Sequence, residues 1–178
     1  MIKFTAALLA GAMVATPAMA APAASAAKPV TKPATTSTAL PPVVAEAMRP
    51  IRQFLDGINA GNIDNALAAY AHGDITITDE FAPHVWMGPD APHAWLDDYA
   101  RDSAAKGLTE GHVRYGRPAR GEVETDSAYL IVPTLYTFKL NGAPMAEEGQ
   151  MTFVVNREAT GWKIKGWTWS GVKPHTPK

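Results

Sequence analysis

The sequence contains no cysteine and carries almost no net charge. It has 178 residues, with 16 Lys and Arg against 17 Asp and Glu and a formal charge of -1. Without cysteine, the chain excludes disulfides, thiolate metal ligands and a cysteine nucleophile. Without a basic excess, it offers little surface for releasing counterions from nucleic acid, so no nucleic-acid partner is expected. The length fits one folded domain.

A long hydrophobic run is also missing. The most apolar stretch, residues 6–15, has ten residues, about half of the ~20 that a membrane-spanning helix needs. It follows Lys3 and precedes Ala18-Met19-Ala20, a pattern typical of a cleavable signal peptide over residues 1–20. We therefore expect cleavage near Ala20-Ala21, a periplasmic or secreted protein, and no stable membrane insertion after cleavage. N-terminal sequencing of the mature protein checks this expectation.

Residues 21–42 contain mainly Ala, Pro, Thr, Ser and Lys. Such a segment has too little large apolar surface to offset the entropy lost on ordering. We predict a disordered linker there, a folded domain over residues 43–173 and a short tail over residues 174–178.

Helical spacing of apolar residues dominates the first half of the domain. Residues 44–58 follow it, with a kink or a late start predicted at Pro50. Asn62 is a candidate N-cap for a short second helix, and Gly107 is the predicted end of a third that contains Trp95 and Tyr99.

The second half of the domain reads as strands and turns. After a first strand at residues 75–78, strands are predicted at residues 112–120, 128–140, 145–156 and 162–169. Asn141-Gly142 predicts a two-residue hairpin turn, because both residues tolerate positive φ. Pro133 predicts a bulge or an edge position. This order indicates an α+β fold with three helices packed in a curved antiparallel sheet.

Two segments carry a family resemblance. The stretch from Phe54 to Asp64, followed by Leu67 and Tyr70, resembles the opening helices of the SnoaL-like and steroid-isomerase-like group, in the superfamily named for nuclear transport factor two (NTF2). Residues 150–155 and 161–170 resemble the last hairpin of small SnoaL-like bacterial domains. The resemblance implies a cone-shaped NTF2-like fold with a pocket at one end. It leaves the activity open, since this scaffold supports isomerases, cyclases, dehydratases and binding proteins.

A pocket is also indicated by the five tryptophans. They cannot all be fully buried with their N–H groups satisfied, so some should line a cavity or an interface, although aromatics that only fill the core are the alternative. We expect a small, largely apolar ligand. The candidate ligand-binding residues are Phe54, Trp86, Tyr99, Tyr136, Gln150, Thr152, Trp167 and Trp169.

Asp79 is the first candidate catalytic residue, because it ends the first strand. In the steroid isomerases a carboxylate at nearly this place is the general base, and Asp79 meets that position after a one-residue insertion, whereas Thr78 meets it without one. Apolar surroundings would raise the pKa of such a carboxyl toward working pH. The alternative is a solvated aspartate in an acidic loop. By the same resemblance Phe54 and Met151 replace the family's two oxyanion donors, so the familiar isomerase constellation is incomplete.

His84 and His112 lie close to predicted strand ends and are candidate acid–base partners for Asp79 in a dehydratase-like site. The histidine spacing matches no zinc pattern, so no metal is expected, and the absence of nucleotide-binding glycine motifs predicts no cofactor.

Two functions remain from these observations. One is an acid–base enzyme, an isomerase, cyclase or dehydratase that uses Asp79 with a His or Tyr partner. The other is a binding module that forms a homodimer through the sheet. The aromatic residues Tyr136, Phe153, Trp167 and Trp169 on the last strands predict such a dimer face.

Overall fold

The computed structural model describes residues 39–177. The described residues belong to one compact unit, and the predicted signal peptide lies outside them. So does most of the predicted linker. Its last residues are described, and there Leu40 packs against the core and the first helix begins at Pro42.

Three helices and seven strands follow one another along the described residues. Their bounds are α1 Pro42–Asn59, α2 Ile63–Leu67, β1 Ile75–Thr78, β2 Val85–Gly88, α3 Ala91–Lys106, β3 Leu108–Tyr115, β4 Arg120–Val123, β5 Ser127–Leu140, β6 Ala143–Glu158 and β7 Gly161–Gly171. The predicted α+β class is confirmed, and the helices precede most of the sheet as expected.

The strands form one mixed sheet in the order β2-β1-β7-β6-β5-β3, with β4 also paired to β5. The predicted sheet was antiparallel throughout. The structure differs at one pairing, because β1 lies parallel to β7. Parallel neighbours need a long crossover, and here the whole chain between β1 and β7 supplies it.

The helix boundaries follow local chemistry with one exception. Asn62 caps α2 by accepting a hydrogen bond from the Asn65 backbone N–H at 3.2 Å, and Gly107 ends α3 with φ +69°. The late start predicted at Pro50 is wrong, because α1 runs eight residues before it and continues through it.

The strand predicted at residues 112–120 is two strands, β3 and β4. The break between them faces Pro133 of β5, whose carbonyl accepts from the Gly116 N–H at 2.9 Å. Proline has no N–H to offer a strand partner. Pro133 therefore lies in the interior strand β5, opposite the interruption between β3 and β4. The predicted edge position or bulge is wrong, because β5 keeps its register with β6 through Pro133.

The predicted hairpin at Asn141-Gly142 is confirmed, with φ of +51° and +85°. It pairs β5 with β6 over their full lengths, starting from Leu140 opposite Ala143. The same register places Tyr136 opposite Glu147.

The core lies between α1 and the concave face of the sheet. Met48, Ile51 and Phe54 of α1 are buried there, with Phe153 of β6 and Ile164 of β7. Within residues 39–177, no helix is long and apolar enough to cross a membrane. In the predicted tail His175 pairs with Ala146 through two backbone hydrogen bonds, which holds residues 172–174 beside the cavity described next.

Candidate functional site

A cavity of about 940 Å³ opens between α1, α3 and the concave face of the sheet. This volume is within the range of small-molecule sites. Its walls are mainly aromatic. Phe54 lies 5.9 Å from Trp167 and 6.1 Å from Trp95 between ring centroids, and Trp95 meets Trp167 edge to face at 5.0 Å. Such a surface favours an apolar ligand.

The Asp79 carboxylate lies in this wall, directly after β1. Its Oδ2 accepts a hydrogen bond from Trp95 Nε1 at 2.9 Å, and its Oδ1 accepts from the Glu80 backbone N–H at 2.7 Å. Burial raises the pKa of Asp79 from 3.8 to about 6, although these two hydrogen bonds oppose the rise. Asp79 is therefore a carboxylate that binds and releases protons near neutral pH.

A second carboxyl group, that of Glu147, lies deeper in the cavity and is only 1% exposed. Its Oε1 accepts from Trp169 Nε1 at 2.9 Å, whereas Oε2 has no hydrogen-bond donor among the described residues. Burial, together with the negative charges of Glu80 and Asp79, raises the pKa of Glu147 from 4.5 to about 7, although the hydrogen bond from Trp169 opposes the rise. Gly171 makes room for this group, because a Cβ there would lie 1.8 Å from Oε1.

Two tyrosines form the third polar group of the cavity. The hydroxyls of Tyr99 on α3 and Tyr136 on β5 are 2.5 Å apart, so one donates to the other. Burial and the neighbouring Tyr99 raise the pKa of Tyr136, which keeps its hydroxyl protonated. Gly111 permits this approach, since a Cβ there would lie 2.8 Å and 2.9 Å from the two hydroxyl oxygens. The pair keeps one free proton for a ligand oxygen.

The structure brings most of the residues predicted from the sequence together. Lining the cavity are Asp79, His112, Phe54, Tyr99, Tyr136, Trp167 and Trp169. His84, Trp86, Gln150 and Thr152 lie outside that lining.

Each of the four has a physical reason for its place. Gln150 and Thr152 alternate with the buried Met151 on β6, so they project from the opposite face of the sheet. The His84 ring is exposed and contacts the backbone oxygen of Asp79, not its carboxylate, at 3.2 Å. Trp86 is buried behind Phe81 and donates to Asp98 at 2.8 Å.

The aromatic residues that suggested a dimer face lie on the concave side of the sheet. Phe153, Trp167 and Tyr136 alternate with outward-facing residues, and Trp169 donates to the buried Glu147. They line the core and the cavity, so they provide no argument for a dimer.

The sequence reasoning missed Glu147. The signal was present, because a two-residue turn at Asn141-Gly142 fixes the register of the hairpin and places Glu147 opposite Tyr136. Glu147 and Glu148 are adjacent acidic residues, and alternation along the strand buries the first and exposes the second.

These groups suit proton transfer. The cavity combines an ionisable carboxylate, a protonated tyrosine pair and a carboxyl group of raised pKa on apolar walls. Within residues 39–177, no group of three or more His, Asp or Glu side chains is placed to hold a metal ion.

Comparison with known proteins identifies the fold of the chain. No family model matches the chain, and no curated protein matches it in sequence. A ketosteroid isomerase-like protein from Erwinia carotovora atroseptica is similar over 76% of this chain and 100% of its own, with 17% identity and a TM-score of 0.58. The hexachlorocyclohexane dehydrochlorinase LinA-type3 from Novosphingobium barchaimii is similar over 74% of this chain and 87% of its own, with 14% identity and a TM-score of 0.62. An NTF2-like protein with a cystatin-like fold from Novosphingobium aromaticivorans is similar over 70% of this chain and 79% of its own, with 19% identity and a TM-score of 0.55.

Likeness at this level of identity shows the fold alone. The chain has the NTF2-like fold, an α+β cone of helices and a curved open sheet. The resemblance to the SnoaL-like and steroid-isomerase-like group is confirmed at the level of that fold.

Proposed function

We propose that the cavity binds a small, largely apolar molecule and that Asp79 acts on it as a general base. The observation that carries this proposal is the Asp79 carboxylate, which is held by Trp95 in an aromatic wall and has a pKa of about 6. A base with this pKa is ionised at neutral pH and still basic enough to accept a proton from an activated carbon.

The reaction needs a donor for the charge that develops on the ligand. When Asp79 removes a proton from carbon, the C–H electron pair moves toward a ligand carbonyl, and the oxygen becomes negative. The Tyr99–Tyr136 pair has one hydroxyl proton that its own hydrogen bond does not use. Donation from that hydroxyl would stabilise the oxyanion by several kcal/mol in a water-poor site. Returning the proton to another carbon would give isomerisation.

The similar structures include proteins described as an isomerase-like protein and a dehydrochlorinase. Both descriptions are compatible with proton removal from carbon, which supports the proposed reaction type. The proposed substrate is an apolar molecule with an activated C–H bond.

Hydrogen–deuterium exchange tests the proposal without knowledge of the natural substrate. The protein is incubated in D₂O with 2-tetralone or cyclohexanone, and loss of the α-proton signal is followed by NMR. We expect exchange faster than in buffer alone. No acceleration for a ketone that binds, as judged by quenching of the cavity tryptophans, would contradict general-base catalysis.

The pH dependence provides a prediction of its own. Asp79 accepts protons only in its ionised form, so the exchange rate should rise tenfold per pH unit below about pH 6 and level off above it. The measurement is the exchange rate per ketone concentration from pH 4.5 to 8. A rate that is flat across pH 6 would exclude Asp79 as the base.

A second candidate function is a binding module that forms a homodimer through the sheet. The convex face of the sheet carries Tyr129 and Val154, paired neighbours that are 39% and 41% exposed. Exposed apolar side chains on an open sheet face favour association. Sedimentation velocity at micromolar concentration tests it, and a monomer at the highest concentration would refute a stable dimer.

A further inference from the structure

Three carboxyl groups of the described residues face the same end of the cavity without a positive partner. Asp79, Glu80 and Glu147 all contribute to its lining, and their charges act on one another. Within residues 39–177, none of them forms an ion pair with a Lys, Arg or His side chain, whereas other acidic residues of the lining do, such as Asp102 with Lys106 at 2.8 Å. An acidic group of this kind is costly unless something positive compensates it.

Glu147 gives the strongest sign that this compensation comes from a ligand. It is almost fully buried, and its Oε2 lacks a donor among the described residues although the group lines the cavity. Burial and the nearby negative charge of Glu80 raise the pKa of Glu147, so the ionised carboxylate is poorly compensated by the protein itself. A ligand with its own N–H donor would supply the hydrogen bond that Oε2 lacks.

The walls beside Glu147 suit a cation as well as an apolar body. Trp169, which donates to Glu147, meets the ring of Tyr136 edge to face at 6.4 Å, and Trp167 and Trp95 continue the aromatic surface. Faces of Trp and Tyr attract organic cations, by more when water is excluded.

A bare metal ion and the protein's own lysines are poorer candidates for the positive group that compensates these carboxylates. The described acidic residues are not grouped to hold a metal ion. An extended organic cation does not require such a grouping. The two lysines of the lining, Lys106 and Lys173, are exposed at its rim.

We propose that the ligand of this cavity is a protonated amine on an apolar body, with its N–H donated to Glu147 and its charge shared with Glu80 and Asp79. The inference deepens the proposed function by giving its ligand a charge, and it rests on the cavity without requiring that Asp79 catalyse a reaction.

The test compares three ligands of nearly the same shape and different charge. Binding of 2-phenylethylammonium, 2-phenylethanol and phenylacetate is measured by quenching of tryptophan fluorescence and by calorimetry at pH 7.5. We expect the ammonium ion to bind at least tenfold more tightly than the alcohol, and the carboxylate to bind most weakly. Equal or tighter binding of the alcohol would overturn the proposal.

Glu147→Gln provides the matched variant, because its amide oxygen can still accept from Trp169. It should weaken ammonium binding at least tenfold and change alcohol binding less than twofold. The control is Glu110→Gln at the rim, where the carboxylate is exposed and paired with Lys139 at 2.6 Å. Equal effects of the two variants would show a general attraction to negative charge and refute the assigned contact.

Glu80→Gln provides a second variant at the exposed end of the group. If Glu147→Gln does not fold, as judged by circular dichroism, Glu80→Gln replaces it, and we expect it to weaken ammonium binding at least threefold.

The ketone exchange test is independent of the ammonium-binding test. Ammonium binding without exchange would remove the catalytic proposal alone, and exchange without a preference for the ammonium ion would remove the present inference alone.

Discussion

Replacing Asp79 with asparagine is expected to lower the catalysed exchange rate about 10²- to 10⁴-fold, the usual contribution of a positioned general base. Asparagine is nearly the same size and can still accept the Trp95 hydrogen bond, but it cannot take a proton from carbon. The measurement is the initial exchange rate of 2-tetralone for the two proteins. The inflection near pH 6 should disappear from any residual rate.

The fold of this variant should survive. Burial raises the pKa of Asp79, so the folded protein binds this proton more tightly than the unfolded chain. The ionised carboxylate therefore opposes folding as pH rises from about 4 through 6, and at pH 7 an uncharged asparagine removes that cost. It loses one of the two hydrogen bonds, at about 1 kcal/mol. We expect a melting temperature close to that of the wild type.

Asp97→Asn is the control for the loss of charge. Asp97 belongs to the same lining but is exposed on α3. Its exchange rate should stay within about twofold of the wild type, because an exposed rim charge acts weakly through water. Full activity of Asp79→Asn, or equal losses in the two variants, would refute the role of Asp79.

The largest loss of stability is expected from Phe153→Ala, about 3–5 kcal/mol. Phe153 is fully buried on β6, between Leu130 of β5 and Trp167 of β7. Its removal takes away apolar contacts and leaves a cavity in the centre of the sheet, where the neighbouring strands cannot move inward freely. Urea unfolding at pH 7 measures the difference.

Val154→Ala is the matched control, one residue along the same strand. Val154 is 41% exposed on the convex face, so its truncation should cost less than about 1 kcal/mol. A loss of similar size in both variants would mean that the strand, and not the buried ring, determines the effect.

The sequence predicted the elements whose signals are local. The asparagine cap of α2, the glycine at the end of α3 and the turn at Asn141-Gly142 each act through a few neighbouring atoms, and each was found where it was expected. The parallel pairing of β1 with β7 depends on contacts about ninety residues apart along the chain. The four-residue strand β2 was missed because it is short and only Trp86 within it is buried.

The candidate site shows the same difference between local signals and contacts that are distant along the chain. Asp79 could be predicted because the end of a strand is visible in the pattern and the resemblance pointed there. The Tyr99–Tyr136 contact could not, since it joins α3 to β5 through Gly111 on a third element. Burial of Glu147 depends on which face of β6 turns inward, and that follows from the hairpin register and not from residue type.

The register of the β5–β6 hairpin also determines which changes of chain length the site tolerates. Tyr136 and Glu147 stand opposite each other at equal distances from the turn. Adding residues to the turn lengthens the loop and leaves the two side chains facing each other. One residue inserted into either strand between them and the turn would send one of the two to the convex side. Length variants at the tip are thus a route for attaching a fluorescent label or a reporter peptide without separating the tyrosine from the acid.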